Sequence, residues 1–241
     1  METGAIAKAQ CWTDFEDVIE AGIKRVILWG LPGTGKTYAG LTHAVGEGGS
    51  FRLVCSEEMT NAQVSGTWMP NGERWTFAEG MALKAWRGNG QVGGRLVIDE
   101  IDKVSGDVEG ELHNFTDSIA SASFRNPETD EVITPLDGFS VIATTNLENP
   151  EWLKPALRDR FSTAIEINAP HPNALLQLPE NLREVANAVI SAEPERRVSL
   201  RAFYDYQTLL NSGMEIGRSA QLVFGKNRGE AIVEALTIGA L

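Results

Sequence analysis

Gly30-Leu31-Pro32-Gly33-Thr34-Gly35-Lys36-Thr37 constrains this chain more than any other stretch. It reads G-x-x-x-x-G-K-T. An apolar, partly β-branched run, Arg25-Val26-Ile27-Leu28-Trp29, precedes it, and a helix-forming stretch from Tyr38 to Val45 follows. A buried strand, a glycine-rich turn and a helix are the context that such a loop needs. Gly30, Gly33 and Gly35 let the backbone turn successive N–H groups inward, where they can cradle phosphates. Lys36 is then placed to reach the β- and γ-phosphates, and the Thr37 hydroxyl to ligate Mg2+.

Strand-like and helix-like patterns alternate through the rest of the chain. Trp12 to Gly22 is helical in spacing, with Thr13 or Asp14 as a candidate N-cap. Phe51 to Cys55 and Arg95 to Ile98 read as buried strands, as do Phe139 to Ala143 and Thr163 to Ile167. Val64 to Trp75 carries Gly and Trp too irregularly for one element. Phe77 to Arg87 reads as helix, Val108 to Ile119 as amphipathic helix and Trp152 to Arg160 as short helix. Asn126-Pro127-Glu128-Thr129-Asp130 between extended runs predicts a β-hairpin over Phe124 to Leu136. This alternation predicts an α/β fold with a parallel sheet flanked by helices. The two prolines of Asn168-Ala169-Pro170-His171-Pro172 break it. Beyond them only helices are expected: Pro179 to Ser191, Ser199 to Asn211, Ile216 to Phe224 and Arg228 to Leu241. The expected division is an α/β core over 1–168 and a small all-helical lid over 169–241.

Four further clusters carry chemistry. Leu96-Val97-Ile98-Asp99-Glu100 is a strand that delivers two carboxylates to the crevice at its carboxyl end. Asp99 suits Mg2+, and Glu100 suits the base that polarises an attacking water. Val141 to Thr145 ends in Asn146, which could hold that water or touch the γ-phosphate; taken without the other motifs, turn chemistry is the better explanation of such an Asn. Pro155-Ala156-Leu157-Arg158-Asp159-Arg160-Phe161 presents two arginines, a side chain fitted to bidentate phosphate contact or to surface ion pairs with Asp159 or Glu151. Arg196-Arg197-Val198-Ser199-Leu200-Arg201 opens a helix with Ser199 as N-cap and Arg201 in the first turn.

The bulk properties narrow the partners. The 241 residues suffice for one large α/β domain and a small appendage. The formal net charge of −12 argues against an extended grip on a nucleic-acid backbone. Cys11 and Cys55 make no disulfide framework, and His43, His113 and His171 are too scattered for a metal cluster. Met1 to Gln10 lacks the apolar run of a signal peptide, and no run is long enough to span a membrane. A cytoplasmic protein is expected.

In order and spacing, Gly30 to Thr37, Leu96 to Glu100, Ile142 to Asn146, Ala156 to Phe161 and Ser199 to Arg201 resemble the motifs of AAA+ ATPases. They match Walker A, Walker B, sensor 1, arginine finger and sensor 2. Gly66 to Pro70, Asp99 to Lys103 and the hairpin before sensor 1 resemble the MoxR-like and dynein-related branch. The resemblance implies a P-loop NTPase fold, a three-layer parallel sheet between helices with a C-terminal helical lid. It also implies ATP and Mg2+ as cofactors. Gly30, Pro32, Gly33, Thr34, Gly35, Lys36, Thr37 and Tyr38 would surround the nucleotide with Arg201, and Thr37 and Asp99 would hold the metal. Glu100, Asn146, Arg160 and Arg158 would act in catalysis, Arg160 on the neighbouring subunit of a homo-oligomeric ring, usually hexameric. The implied work is remodelling of a protein partner, in the manner of a chaperone, with no membrane involved. The alternative is a nucleic-acid motor of branch-migration, helicase or packaging type; Lys84, Arg87 and Arg95 are the nearest basic cluster for it. Trp68 and Met69 could line a central pore, or Trp68 could pack over the sheet.

Overall fold

Apolar runs that the sequence marks as strands pair side by side, and the stretches between them return as helices. The computed structural model describes residues 8–104, 106–118, 120–190 and 197–238. Met1 to Ala7, Ile119, Ser191, Arg196 and Gly239 to Leu241, on which parts of the sequence-predicted elements fall, lie outside the described residues. In chain order the elements are α1 Gln10–Glu20, β1 Arg25–Gly30, α2 Lys36–Thr42, β2 Ser50–Val54, α3 Asn61–Val64, β3 Gly66–Asn71, β4 Arg74–Glu79 and α4 Met81–Arg87. Then follow β5 Arg95–Asp99, α5 Gly106–Thr116, β6 Phe124–Arg125, β7 Val132–Ile133, β8 Ser140–Thr144, α6 Pro155–Arg158 and β9 Thr163–Ile167. The chain divides into two compact units. The larger comprises 14–30 and 36–166, and the smaller comprises 1–13, 31–35 and 167–241.

In the larger unit one five-stranded sheet has the order β2-β5-β8-β1-β9. β2–β5, β5–β8 and β1–β8 pair in parallel, in register from Val54 opposite Asp99 to Leu28 opposite Thr144. Every residue of β5 is buried, and β8 is buried from Val141 to Thr144. Unbroken apolar strands of this kind belong to a parallel sheet covered on both faces. Edge strand β9 alternates instead, with Ile165 and Ile167 buried between exposed residues. Trp86, Phe115 and Phe139 form the aromatic centre of the core, with the Trp86 and Phe115 rings 4.6 Å apart.

Several local expectations are corrected. α1 begins at Gln10, so Thr13 and Asp14 lie inside it rather than capping it. α2 starts at Lys36 and stops at Thr42, short of Val45. Trp152 to Arg160 is a 3-10 turn, Pro150–Trp152, followed by α6, because Pro155 forces a new start. The stretch read as irregular, with the start of the helix read after it, is an antiparallel hairpin, β3–β4. Its two-residue turn is Gly72-Glu73, between the paired Asn71 and Arg74, with Gly72 at φ +62°, which explains the glycine. Phe77 therefore belongs to β4, and α4 begins only at Met81. The hairpin stacks Phe77 on Phe124 of the second hairpin, β6–β7, with centroids 6.0 Å apart.

The smaller unit is helical: α7 Pro172–Leu175, α8 Glu180–Ile190, α9 Leu200–Asn211, α10 Ile216–Phe224 and α11 Lys226–Ile238. Leu182, Ala186, Phe203, Tyr206, Ala220, Phe224 and Ile232 make its own core. A Cβ on Gly229 would lie 2.8 Å from the Ala220 carbonyl oxygen, so this glycine permits the close approach of α10 and α11. No helix among the described residues is long and apolar enough to cross a membrane.

Candidate functional site

Gly30 closes β1 at φ +110°, and the loop after it turns at Gly33 (φ +75°) and Gly35 (φ +102°). These conformations need glycine, which is why the spacing was readable. Lys36 opens α2 and is buried. Its ammonium donates to the Gly30 carbonyl and to Asn146 Oδ1, both at 2.9 Å. Burial lowers its pKa to about 8, against the pull of Asp99, Asp102 and Glu100. Thr37, one residue on, donates from Oγ1 to Asp99 Oδ1 at 2.7 Å.

Asp99 ends β5 and is the most heavily bonded side chain of this cluster. Its Oδ1 also accepts from Thr144 at 2.6 Å, and its Oδ2 accepts from Arg52 Nε at 3.2 Å and from Arg52 Nη2. Burial works against its charge, but the hydrogen bonds from Thr144, Arg52 and Thr37 outweigh burial and hold the carboxyl below its ordinary range. Glu100 follows in the left-handed region, φ 58° and ψ 48°, with its N–H donating to Thr144 Oγ1 at 3.3 Å. That turn swings the Glu100 side chain away from the strand, and its carboxylate pairs with Lys103 at 2.8 Å. Thr145 donates to Asp102, so the tip of β8 fixes both ends of the acidic turn.

Within the smaller unit, residues 31–35 of the loop make a second set of contacts. The His171 N–H donates to the Thr34 carbonyl at 2.7 Å. A Cβ on Gly35 would lie 2.9 Å from His171 Cβ, and one on Gly33 would lie 2.9 Å from Ser199 Cβ. The two glycines thus admit the segment before α7 and the start of α9. Trp12 donates its indole N–H to Ala169 O at 3.0 Å and meets the His171 ring edge-on at 4.7 Å. Ser199 occupies the N-cap position of α9 without a side-chain cap bond, and Arg201 is exposed in the first turn. Pro32 and Tyr38 are exposed.

The structure joins Lys36 to Asn146 and Thr37 to Asp99 in two hydrogen-bonded pairs that meet at consecutive residues of α2, and Glu100 is tied to Asp99 through Thr144. Arg160 is turned onto α5 instead, donating to His113 O at 3.0 Å and to Ala156 O at 3.4 Å. Arg158 is half-buried. Arg95, counted above in a basic cluster, is buried: its guanidinium donates to the carbonyls of Gly40, His43 and Ala44 behind α2. Arg87 is paired with Glu79 and Glu131. Sequence reasoning missed Arg52, Thr144 and Lys103. An arginine inside the apolar run Phe51 to Cys55 was the one available signal for Arg52, but its partner is fixed only by β2–β5 pairing.

The family described as AAA domain (dynein-related subfamily) matches residues 25–161. Among curated relatives, a 26S proteasome regulatory subunit homologue of Methanocaldococcus jannaschii is 28% identical over 164 residues, 65% of this chain and 38% of that protein. Among solved structures, a variant of Thermotoga maritima RuvB superposes with a TM-score of 0.50 at 16% identity, covering 87% of this chain and 64% of that one. That likeness is one of fold. The chain spans less than two thirds of the length of either protein.

Proposed function

We propose that this chain hydrolyses ATP, on the premise that it belongs to the dynein-related subfamily of AAA domains. One observation carries the proposal: Thr37, at the end of the glycine-rich loop, is hydrogen-bonded at 2.7 Å to the carboxylate that ends β5. Two hard oxygen donors so joined fit Mg2+, which favours carboxylate, hydroxyl and water ligands. Thr37 and Asp99 would hold the ion, and bound there it would neutralise charge on the phosphates. The loop from Gly30 to Gly35 would cradle the phosphates, and the ammonium of Lys36 would exchange part of its bonding to Gly30 and Asn146 for phosphate oxygens. Asn146 would orient the attacking water. Glu100, whose carboxylate pairs with Lys103 at 2.8 Å, would accept its proton as the oxygen bonds to phosphorus and ADP leaves. Arg201 would act from the lid, and Arg160, with Arg158 as second candidate, on a neighbouring subunit.

The wider reading is a homo-oligomeric ring of the MoxR-like kind, with a core over 1–168 and a lid over 169–241, that remodels a protein partner. Two features support a protein partner over nucleic acid. The net charge is −12, and two of the three basic residues offered as a nucleic-acid lining are already engaged, Arg95 by buried carbonyls and Arg87 by two glutamates, while Lys84 is exposed. Trp68, Met69 and Trp75 stand exposed on the β3–β4 hairpin, a grip suited to peptide.

Lys36→Ala should lose nucleotide binding. Glu100→Gln should bind ATP with near-normal Kd and turn it over about 10²-fold more slowly or worse, because only the base is removed. Binding and turnover measured side by side decide the matter, and near-normal turnover in Glu100→Gln would overturn the assignment.

A further inference from the structure

Asp99 has no lone pair to spare. A carboxylate offers about four acceptor sites. Here Oδ1 is used by Thr37 and Thr144, and Oδ2 is used twice by Arg52. The donors differ in how readily they can leave. Thr144 is buried at 2% exposure and also holds the Glu100 N–H. Thr37 can keep its proton on Asp99 and still offer oxygen lone pairs to a cation. Arg52 stands on the edge strand β2 with its side chain 48% exposed, and it brings a full positive charge to the place where a metal's charge would go.

We infer that Arg52 is an exchangeable substitute for the metal. It neutralises Asp99 in the nucleotide-free subunit and leaves the carboxylate when Mg2+ arrives with nucleotide. The inference rests on the reading of Asp99 as a metal-holding residue. Arg52 is then a positioning residue that acts through Asp99. The exchange keeps the buried carboxylate paired throughout, since an uncompensated charge there would be costly. It also sets the metal affinity by competition, because Mg2+ must displace a guanidinium held by two hydrogen bonds.

The test is binding of fluorescently labelled ADP to the full chain, titrated with MgCl2, so that hydrolysis plays no part. Arg52→Gln removes the charge and keeps a polar side chain. It should lower the Mg2+ midpoint by about three- to tenfold while leaving metal-free ADP affinity within about twofold of wild type. Arg52→Lys keeps the charge and loses the planar fork, so its midpoint should lie between the two. It also guards against a folding defect in the glutamine variant. A lowered unfolding temperature with unchanged Mg2+ midpoints in both variants would reduce Arg52 to a clamp between strands and overturn the inference. A raised midpoint would overturn it as well, since Arg52 would then assist the metal. If ADP binding to the wild type does not respond to Mg2+ at all, the metal reading of Asp99 fails, and the exchange fails with it.

Discussion

A buried lysine is an unstable choice unless something anionic comes to meet it, and Lys36 shows the cost. Burial lowers its pKa from 10.5 to about 8. The unfolded chain therefore binds one more proton than the folded chain between those values. Stability should rise as pH climbs through that window, and the full penalty should stand below about pH 8. Lys36→Met keeps the length and removes the charge. At neutral pH it should be more stable than wild type by up to roughly 3 kcal/mol, the equivalent of the shift, and the margin should shrink toward pH 10. Urea midpoints of both proteins at the two pH values check this. A less stable variant at neutral pH would mean that the hydrogen bonds to Gly30 and Asn146 outweigh desolvation. Lys36 and Thr37 were legible in the sequence because spacing and residue type define a phosphate loop locally, and Asp99 because it ends an apolar strand-like run. Arg52 was not, because its partner lies 47 positions away and depends on which strands adjoin.

At the scale of elements, the buried strands were the most legible part, since apolar runs in a covered parallel sheet cannot be much else. The β3–β4 hairpin was hidden by its exposure: Thr67 to Arg74 bury nothing, so no period-two pattern of burial marks them. Gly72, at the first of the two loop positions, was the local signal for the turn. What holds the hairpin is tertiary. The Phe77 N–H donates to Glu128, Arg87 ties Glu79 to Glu131, and the Phe77 ring stacks on Phe124. The Trp68 ring meets that of Phe77, its partner in the β3–β4 ladder, edge-on with centroids 6.1 Å apart, and Trp68 is 42% exposed. Trp68→Ala should therefore cost less than about 1 kcal/mol and leave basal ATP turnover intact, while any stimulation by a protein partner disappears. Thermal unfolding and turnover of the variant suffice to decide. A fall of several degrees in Tm would make Trp68 a packing residue and remove the peptide grip.

For the whole molecule the open question is assembly, and Arg160 is the residue that answers it. Its guanidinium lies against the carbonyls of His113 and Ala156, at the end of α5, and makes none of the bonds of the Lys36–Thr37–Asp99 cluster. Neither bond is to a carboxylate, so the charge is available to a phosphate elsewhere at small cost. During phosphoryl transfer, charge spreads over the equatorial oxygens, and an arginine supplied to them is worth about 10³–10⁵ in rate in related phosphoryl-transfer enzymes. In the proposed ring that arginine comes from the next subunit. Arg160→Ala should then bind ATP almost normally and hydrolyse it slower by about that factor. Lys36→Ala should be inactive for the opposite reason, with an intact arginine and no functional site of its own. Mixing the two should restore part of the activity, because Arg160 of the second can enter the intact site of the first. Activity of the wild type should also fall on dilution as assemblies separate. The assay is ATP turnover against mixing ratio and against protein concentration. Specific activity independent of dilution, together with no rescue on mixing, would place Arg160 outside catalysis in trans and leave the ring without support.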